Sequence, residues 1–388
     1  MDKVFSVYAA AENSNHERCT TLSLPATDYE LLDVLSKTNV QDFSGFYVEI
    51  EECGHFPSLS SVMGNNLNLC ELNALAERLS VLDKMESTAF KGMLDMEIEK
   101  GTFPIPVSRL VDLAYSTDRC HVLPEVKDDA ALGRFYAENG FVMEAEEIPD
   151  RLFEMLDFGK IGREMRQSDG GVYTHGGYVM RHSELAEVYK GLDLTPREPD
   201  YAVALRLTND DKSVTLKLPA GLRAMSSAVA DLNIQYWQDA EISCLDCMVP
   251  LLTGIISSYD GTLTELNDFA QKLADMDNTS LPAYKALLDA AQCNSISDAE
   301  CLADTLDQYI FSEKIASPEE LARSELTLML SPQGAERLIP HVNLYNYGQE
   351  LLEHFGAVLT DYGMIERRDG QPVQSVTEQP QHGGMEMM

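Results

Sequence analysis

The chain repeats itself, and that limits its fold more than any other feature. Thr21-Leu22-Ser23-Leu24-Pro25-Ala26 returns 194 residues later as Thr215-Leu216-Lys217-Leu218-Pro219-Ala220, and Glu71-Leu72-Asn73 returns at the same offset as Glu265-Leu266-Asn267. Between 71–95 and 265–289, ten of 25 positions are identical without a gap, far above chance. The register then drifts through small deletions. Ala131-Leu132-Gly133-Arg134 meets Glu320-Leu321-Ala322-Arg323 at offset 189, and Gly162-Arg163-Glu164-Met165 meets Gly348-Gln349-Glu350-Leu351 at offset 186. Val172, Thr174, Gly177 and Arg181 meet Val358, Thr360, Gly363 and Arg367 at that same offset. Two homologous units in tandem are expected, residues 1–192 and 199–369. The polar, Pro-containing Leu192–Asp200 stretch joins them, and a tail at 370–388, rich in Gln, Pro and Gly, is expected to be disordered.

Each unit reads as α+β, with small β-sheet lobes and a central helical lobe. Val4–Tyr8 and Thr20–Leu24 have strand character, as do Tyr201–Leu207 and Ser213–Leu218. Thr27 and Glu30 form a capping box ahead of Leu31, Leu32 and Leu35, and Phe46–Ile50 reads as a strand. Leu69, Leu72, Leu75, Ala76, Leu79 and Leu82 recur at helical spacing behind a candidate N-cap, Asn68. Further helices are expected at Ser87–Glu97, Val107–Tyr115, Asp128–Asn139 and Pro149–Met165, and a hairpin at Gly170–Val179. In the second unit, Ser297 with Glu300 is a candidate capping box, and Ser317-Pro318-Glu319-Glu320 combines an N-cap with Pro at the first helical position.

Charge narrows the function. The 388 residues hold 64 acids and 29 bases, a net charge of −35. The excess belongs to the repeated unit: the first 194 residues hold 34 acids and 17 bases, the remainder 30 and 12. A nucleic-acid-binding surface needs a basic footprint, and an anionic membrane repels acid, so neither partner fits. No apolar run is long enough to span a membrane, and the first residues have no signal-peptide core. Eight Cys without disulfide-framework spacing fit a reduced, cytoplasmic protein.

Catalytic signatures are absent: no Walker-type phosphate loop, no HExxH, no G-x-S-x-G. Gly170, Gly171, Gly176 and Gly177 suit a hairpin rather than a phosphate cradle, because no helix opens behind them. Cys244-x-x-Cys247 has metal-ligand spacing but no second ligand pair, and its flanks read as a strand with packed Cys. Cys53-x-His55 and Cys120-His121 could pair a nucleophile with a base, without any supporting pattern. No catalytic, cofactor or metal site is expected.

One acidic run stands out: Glu144, Glu146, Glu147, Asp150, Glu154 and Asp157. The last three follow i, i+4, i+7 spacing, which on a helix sets like charges on one face at a cost in stability. Such a face is either simply solvated, with Arg151 and Lys160 nearby, or made for a basic partner. Glu125, Asp128 and Asp129 are secondary candidates.

Five segments occur in order in the first unit: the helix-opening Glu71-Leu72-Asn73, Leu132-Gly133-Arg134-Phe135-Tyr136-Ala137-Glu138, Ile148-Pro149-Asp150-Arg151-Leu152, Leu156–Glu164 and Gly171-Val172-Tyr173-Thr174. On these segments the unit resembles ArdA-type antirestriction proteins, which mobile elements encode. The resemblance covers most of residues 4–180 and, through the repeat, extends weakly into the second unit. It implies an elongated, multi-lobed DNA mimic that needs no cofactor and occupies the DNA-binding groove of a type I restriction–modification enzyme. Family members are usually single units acting as dimers. The tandem chain is therefore expected to form either a homodimer or an intrachain pseudo-dimer. The alternative is an acidic scaffold of a mobile element, binding some other basic protein.

Overall fold

A computed structural model describes residues 2–12, 18–101, 103–143 and 148–374. Helix and sheet are mixed throughout. The first half contains strands β1 (Phe5–Ala11) and β2 (Cys19–Leu24), helix α1 (Asp28–Thr38), strand β3 (Phe46–Glu52), and helices α2 (Ser58–Val62), α3 (Leu69–Ser80), α4 (Lys84–Glu99) and α5 (Val107–Ala114). Strand β4 (Cys120–Leu123), helices α6 (Asp129–Glu138), α7 (Asp150–Phe153) and α8 (Phe158–Asp169), and strands β5 (Val172–Thr174) and β6 (Gly177–Arg181) complete it.

The second half begins with β7 (Val203–Asn209), β8 (Lys212–Leu218), α9 (Leu222–Asp231), β9 (Glu241–Cys247), α10 (Thr253–Ser257), α11 (Leu263–Ala274), α12 (Ser280–Ala290) and α13 (Ile296–Asp304). It continues with β10 (Tyr309–Ser312), α14 (Pro318–Met329), α15 (Pro332–Leu338), α16 (Leu344–Phe355), β11 (Val358–Thr360) and β12 (Gly363–Arg367).

Strand order is the same in both halves. The sheets run β2-β1-β3 and β4-β6-β5 in the first, and β8-β7-β9 and β10-β12-β11 in the second. In the closing hairpins Val172 faces Val179 and Thr174 faces Gly177, while Val358 faces Ile365 and Thr360 faces Gly363. Both turns place Gly at φ near +140°, where a side chain is strained: 141° at Gly177 and 140° at Gly363.

The recurring sequence segments have a shared physical cause. In the first half, the Asn73 Oδ1 of α3 accepts the Ala26 N–H at 2.7 Å; in the second, the Asn267 Oδ1 of α11 accepts the Ala220 N–H at 2.6 Å. The Leu-Pro-Ala and Glu-Leu-Asn segments are thus two sides of one contact, in which a side-chain amide satisfies a backbone group that has left its strand. Gly162 is required by the crossing of α6 and α8: a Cβ there would lie 1.8 Å from the Asp129 carbonyl oxygen. Gly348 occupies the same position in the second half, where a Cβ would lie 1.9 Å from the Pro318 carbonyl oxygen.

Caps set the helix starts. Thr27 and Glu30 form the expected box, Asn68 accepts the N–H groups of Cys70 and Glu71, and Ser317 accepts that of Glu320. α4 starts at Lys84, earlier than the expected Ser87, because Asp83 and Glu86 make a second box. The Ser297–Glu300 box does not form: Ser295 caps α13 by accepting the Asp298 N–H, two residues upstream. The expected continuous helix at Pro149–Met165 is also broken, into α7 and α8.

The chain packs as two compact bodies that do not follow the two halves. Among the described residues, one comprises 2–8, 21–26 and those of 47–195; the other comprises 9–12, 18–20, 27–46 and 196–374. A crossing falls in the expected 192–199 linker, but α1 belongs to the second body, together with the later half of the chain. That body's core gathers Leu205, Leu207, Leu218, Leu266, Phe269 and Tyr284, all fully buried. In the first body Leu72, Leu75, Phe90 and Leu110 are fully buried, and Val126, Leu132, Tyr136 and Tyr178 form a smaller cluster beneath α6.

Candidate functional site

Five of the nine candidate acids lie on or beside the α6–α8 helices. Glu144, Glu146 and Glu147 lie outside the described residues. Glu125 sits exposed in the turn after β4. Asp128 is the N-cap of α6, its carboxylate accepting the Ala131 N–H at 2.8 Å, and the side chain stays exposed.

The single acidic helical face expected for Asp150, Glu154 and Asp157 does not exist. α7 lasts four residues, Glu154 is its C-cap, and Asp157 leaves helical geometry (φ −77°, ψ 80°) to become the N-cap of α8. The Asp157 carboxylate accepts the Lys160 N–H at 2.9 Å. The i, i+4, i+7 spacing read as one helix is a helix end followed by a new start, because the Asp at 157 satisfies backbone donors better as a cap than as a helical residue.

Two of the acids are compensated. Glu154 takes a bidentate pair from Arg134 (3.2 and 2.9 Å), which holds its carboxyl below the usual range, yet its side chain is 62% exposed. Asp129 accepts from Arg166 Nε at 3.0 Å and from the Tyr173 hydroxyl at 2.9 Å. The Arg166 bond holds the Asp129 carboxyl low, and only 26% of the side chain is exposed. The second half places Pro318, Leu352 and Leu359 at these three positions, and both leucines pack on an apolar cluster with Leu321, Leu351 and Met364. Asp129 is thereby a structural tie between α6, α8 and β5 rather than an open charge. Glu125, Asp128, Asp150 and Asp157 make no ion pair among the described residues, so their charge faces solvent.

The cysteines of the three candidate motifs behave as packing residues. Cys244 and Cys247 are buried at the end of β9, where a register shift opposite Ala204 and Leu205 turns both inward. Burial pushes the Cys244 thiol up to about 12 and the Cys120 thiol up to about 11, the reverse of what a nucleophile needs. Burial also raises the Cys53 thiol. Among the described residues no group of three His, Cys, Asp or Glu side chains could hold a metal ion. No helix among them is long and apolar enough to cross a membrane.

Sequence reasoning missed the arginines that oppose the acids, Arg134 and Arg166, and missed a cationic cavity in the first body that includes Lys84 and Lys91. The identity of Lys91 with Lys285 in the repeat alignment was the available signal for it. No protein-family model matches the chain, and no curated protein matches it.

Proposed function

We propose that this chain is an antirestriction protein that arose by duplication of one α+β unit and acts in the cytoplasm as an acidic mimic of DNA. Its target would be the DNA-binding groove of a type I restriction–modification enzyme, and it would need no cofactor. The observation that carries the reading is the charge: 34 acids against 17 bases in the first half and 30 against 12 in the second. The open acids Glu125, Asp128, Asp150 and Asp157 support it. The identical element order of the halves supports the duplication.

The physics asks for many carboxylates and no special one. Duplex DNA carries one negative charge per about 1.7 Å of axis, and its binding groove is lined with Lys and Arg. Carboxylates fixed by helix caps, as at Asp128 and Asp157, resemble phosphates in being held rigidly while solvated.

The test is displacement. Labelled operator-length DNA bound to a type I methyltransferase core is titrated with the protein at two salt concentrations. DNA should be released competitively, and the effect should fade at high salt, because ion-pair contacts are screened. Inhibition that persists at saturating DNA refutes mimicry. Capture of an unrelated basic protein without any effect on DNA binding favours the scaffold instead.

A further inference from the structure

Three lysines, Lys3, Lys84 and Lys91, line one cavity of about 700 Å³ within the first body of this acidic chain. Lys84 and Lys91 line it from one face of α4, two turns apart, with Lys3, His55 and His175 around the rim and one acid, Asp2. Lys84 and Lys91 are exposed and form no ion pair among the described residues. Lys91 Nζ lies 5.3 Å from the centre of the Phe56 ring, and Lys3 Nζ donates to the Pro25 carbonyl at 2.7 Å. Phe56, Leu79 and Leu82 supply an apolar floor. The volume is in the range of small-ligand sites.

The second half shows what this position of the fold does with its lysine. Lys285 is the counterpart of Lys91, and it is 4% exposed. Its Nζ meets the Asp33 carboxylate of α1 at 2.6 Å, and the Tyr362 hydroxyl donates to that same carboxylate at 3.0 Å. In the first half the residue matching Tyr362 is Gly176, against which Thr88 packs, so Lys91 has neither that ring nor, among the described residues, a carboxylate partner; Lys285, with Asn278 and Leu281, also borders a cavity, of about 760 Å³. Two further substitutions move the first site toward positive charge: Lys84 stands for Asn278, and His175 for Asp361. Both run against the composition of a chain with a net charge of −35.

We infer that the first-body cavity is a binding site for a small organic anion, whose carboxylate or phosphate head is met by Lys91 and Lys84 and whose apolar body rests on Phe56, Leu79 and Leu82. The head takes the part that Asp33 plays toward Lys285. The inference does not rest on the proposed mimicry of DNA.

The experiment uses the full chain and anilinonaphthalene sulfonate, an aromatic body with one anionic head. Saturable binding is expected, reversed by benzoate or by phenyl phosphate; the stronger competitor identifies the head. The double variant Lys84→Gln, Lys91→Gln should weaken binding by roughly tenfold or more, the loss expected for charged hydrogen bonds. Both side chains are exposed, so its urea midpoint should match the parent. Ser87→Trp, which fills the cavity, should abolish binding. If neither variant changes the affinity, or neither anion displaces the dye, the site is refuted. If Ser87→Trp acts while the lysine variant does not, the cavity is merely apolar and the anion assignment fails.

Discussion

Replacing Asp33 with Ala should destabilise the second body by about 3–5 kcal/mol, the cost of removing one partner from a buried ion pair. The magnitude follows from the surroundings. Asp33 and Lys285 are 2.6 Å apart, and both side chains are 6% exposed. The Asp33 carboxylate also receives the Tyr362 hydroxyl at 3.0 Å and has Lys37 Nζ at 3.5 Å. Without it, the buried Lys285 ammonium has no ion-pair partner among the described residues, and the Tyr362 hydroxyl, whose pKa burial and Asp33 push upward, loses its acceptor. A double variant, Asp33→Leu with Lys285→Met, removes both charges and should recover most of the loss, because an apolar pair of similar volume costs no desolvation. Lys91→Ala, the same residue type at the matching but exposed position, should cost no more than about 0.5 kcal/mol. The assay is equilibrium urea unfolding followed by the fluorescence of Trp237, the sole Trp, which is 7% exposed in the second body's core. A loss below about 1 kcal/mol for Asp33→Ala, or a double variant no better than the single, would refute a buried, tightly coupled pair.

Three further outcomes are expected. Asp157→Asn should leave stability within about 0.5 kcal/mol, since Asn caps as well as Asp and Asn343 already caps α16 by accepting the Asn346 N–H, while Asp157→Ala should cost about 1 kcal/mol; if the Asn variant inhibits DNA binding as strongly as the parent, the charge at 157 does not contribute to the proposed mimicry. Reversing Glu154 and Asp157 to Lys should impair inhibition more than reversing Glu336 and Glu350, because the second half has Pro340 and Asn343 where the first has those acids; equal losses would remove the asymmetry. Thermal stability should rise as pH falls from about 7 toward about 5, above the ordinary carboxylate range. Burial raises the carboxyls of Asp246 and Asp289 in the fold, so the folded state binds protons first and gains stability on acidification; acids held low, such as Asp129 and Glu154, cost stability only further down, as pH falls through their ordinary range. Relief of self-repulsion acts in the same direction. A melting temperature that falls steadily over that interval would contradict the sign.

The sequence by itself determined the local rules. Caps at Thr27, Asn68 and Ser317 were legible because a short polar side chain ahead of an apolar periodic run has one good use. The strand and hairpin periods were legible, and so was the charge. β4 was not, because four residues, three half-buried and one exposed, carry too little alternation to read. Nor was the break at Glu154–Asp157, where helical spacing and a second N-cap compete for the same carboxylate. The rest was decided only by tertiary structure. Asp129 reads in the sequence as one more acid at a helix start, and only the fold brings Arg166 and Tyr173, 37 and 44 residues away, onto it. Lys91 and Lys285 are the same letter in aligned positions, yet one is exposed and the other is buried against Asp33, 252 residues upstream. Periodicity and capping act within a few residues, so a sequence displays them. Burial and charge compensation depend on which distant segment is brought alongside, and no short window of sequence contains that partner.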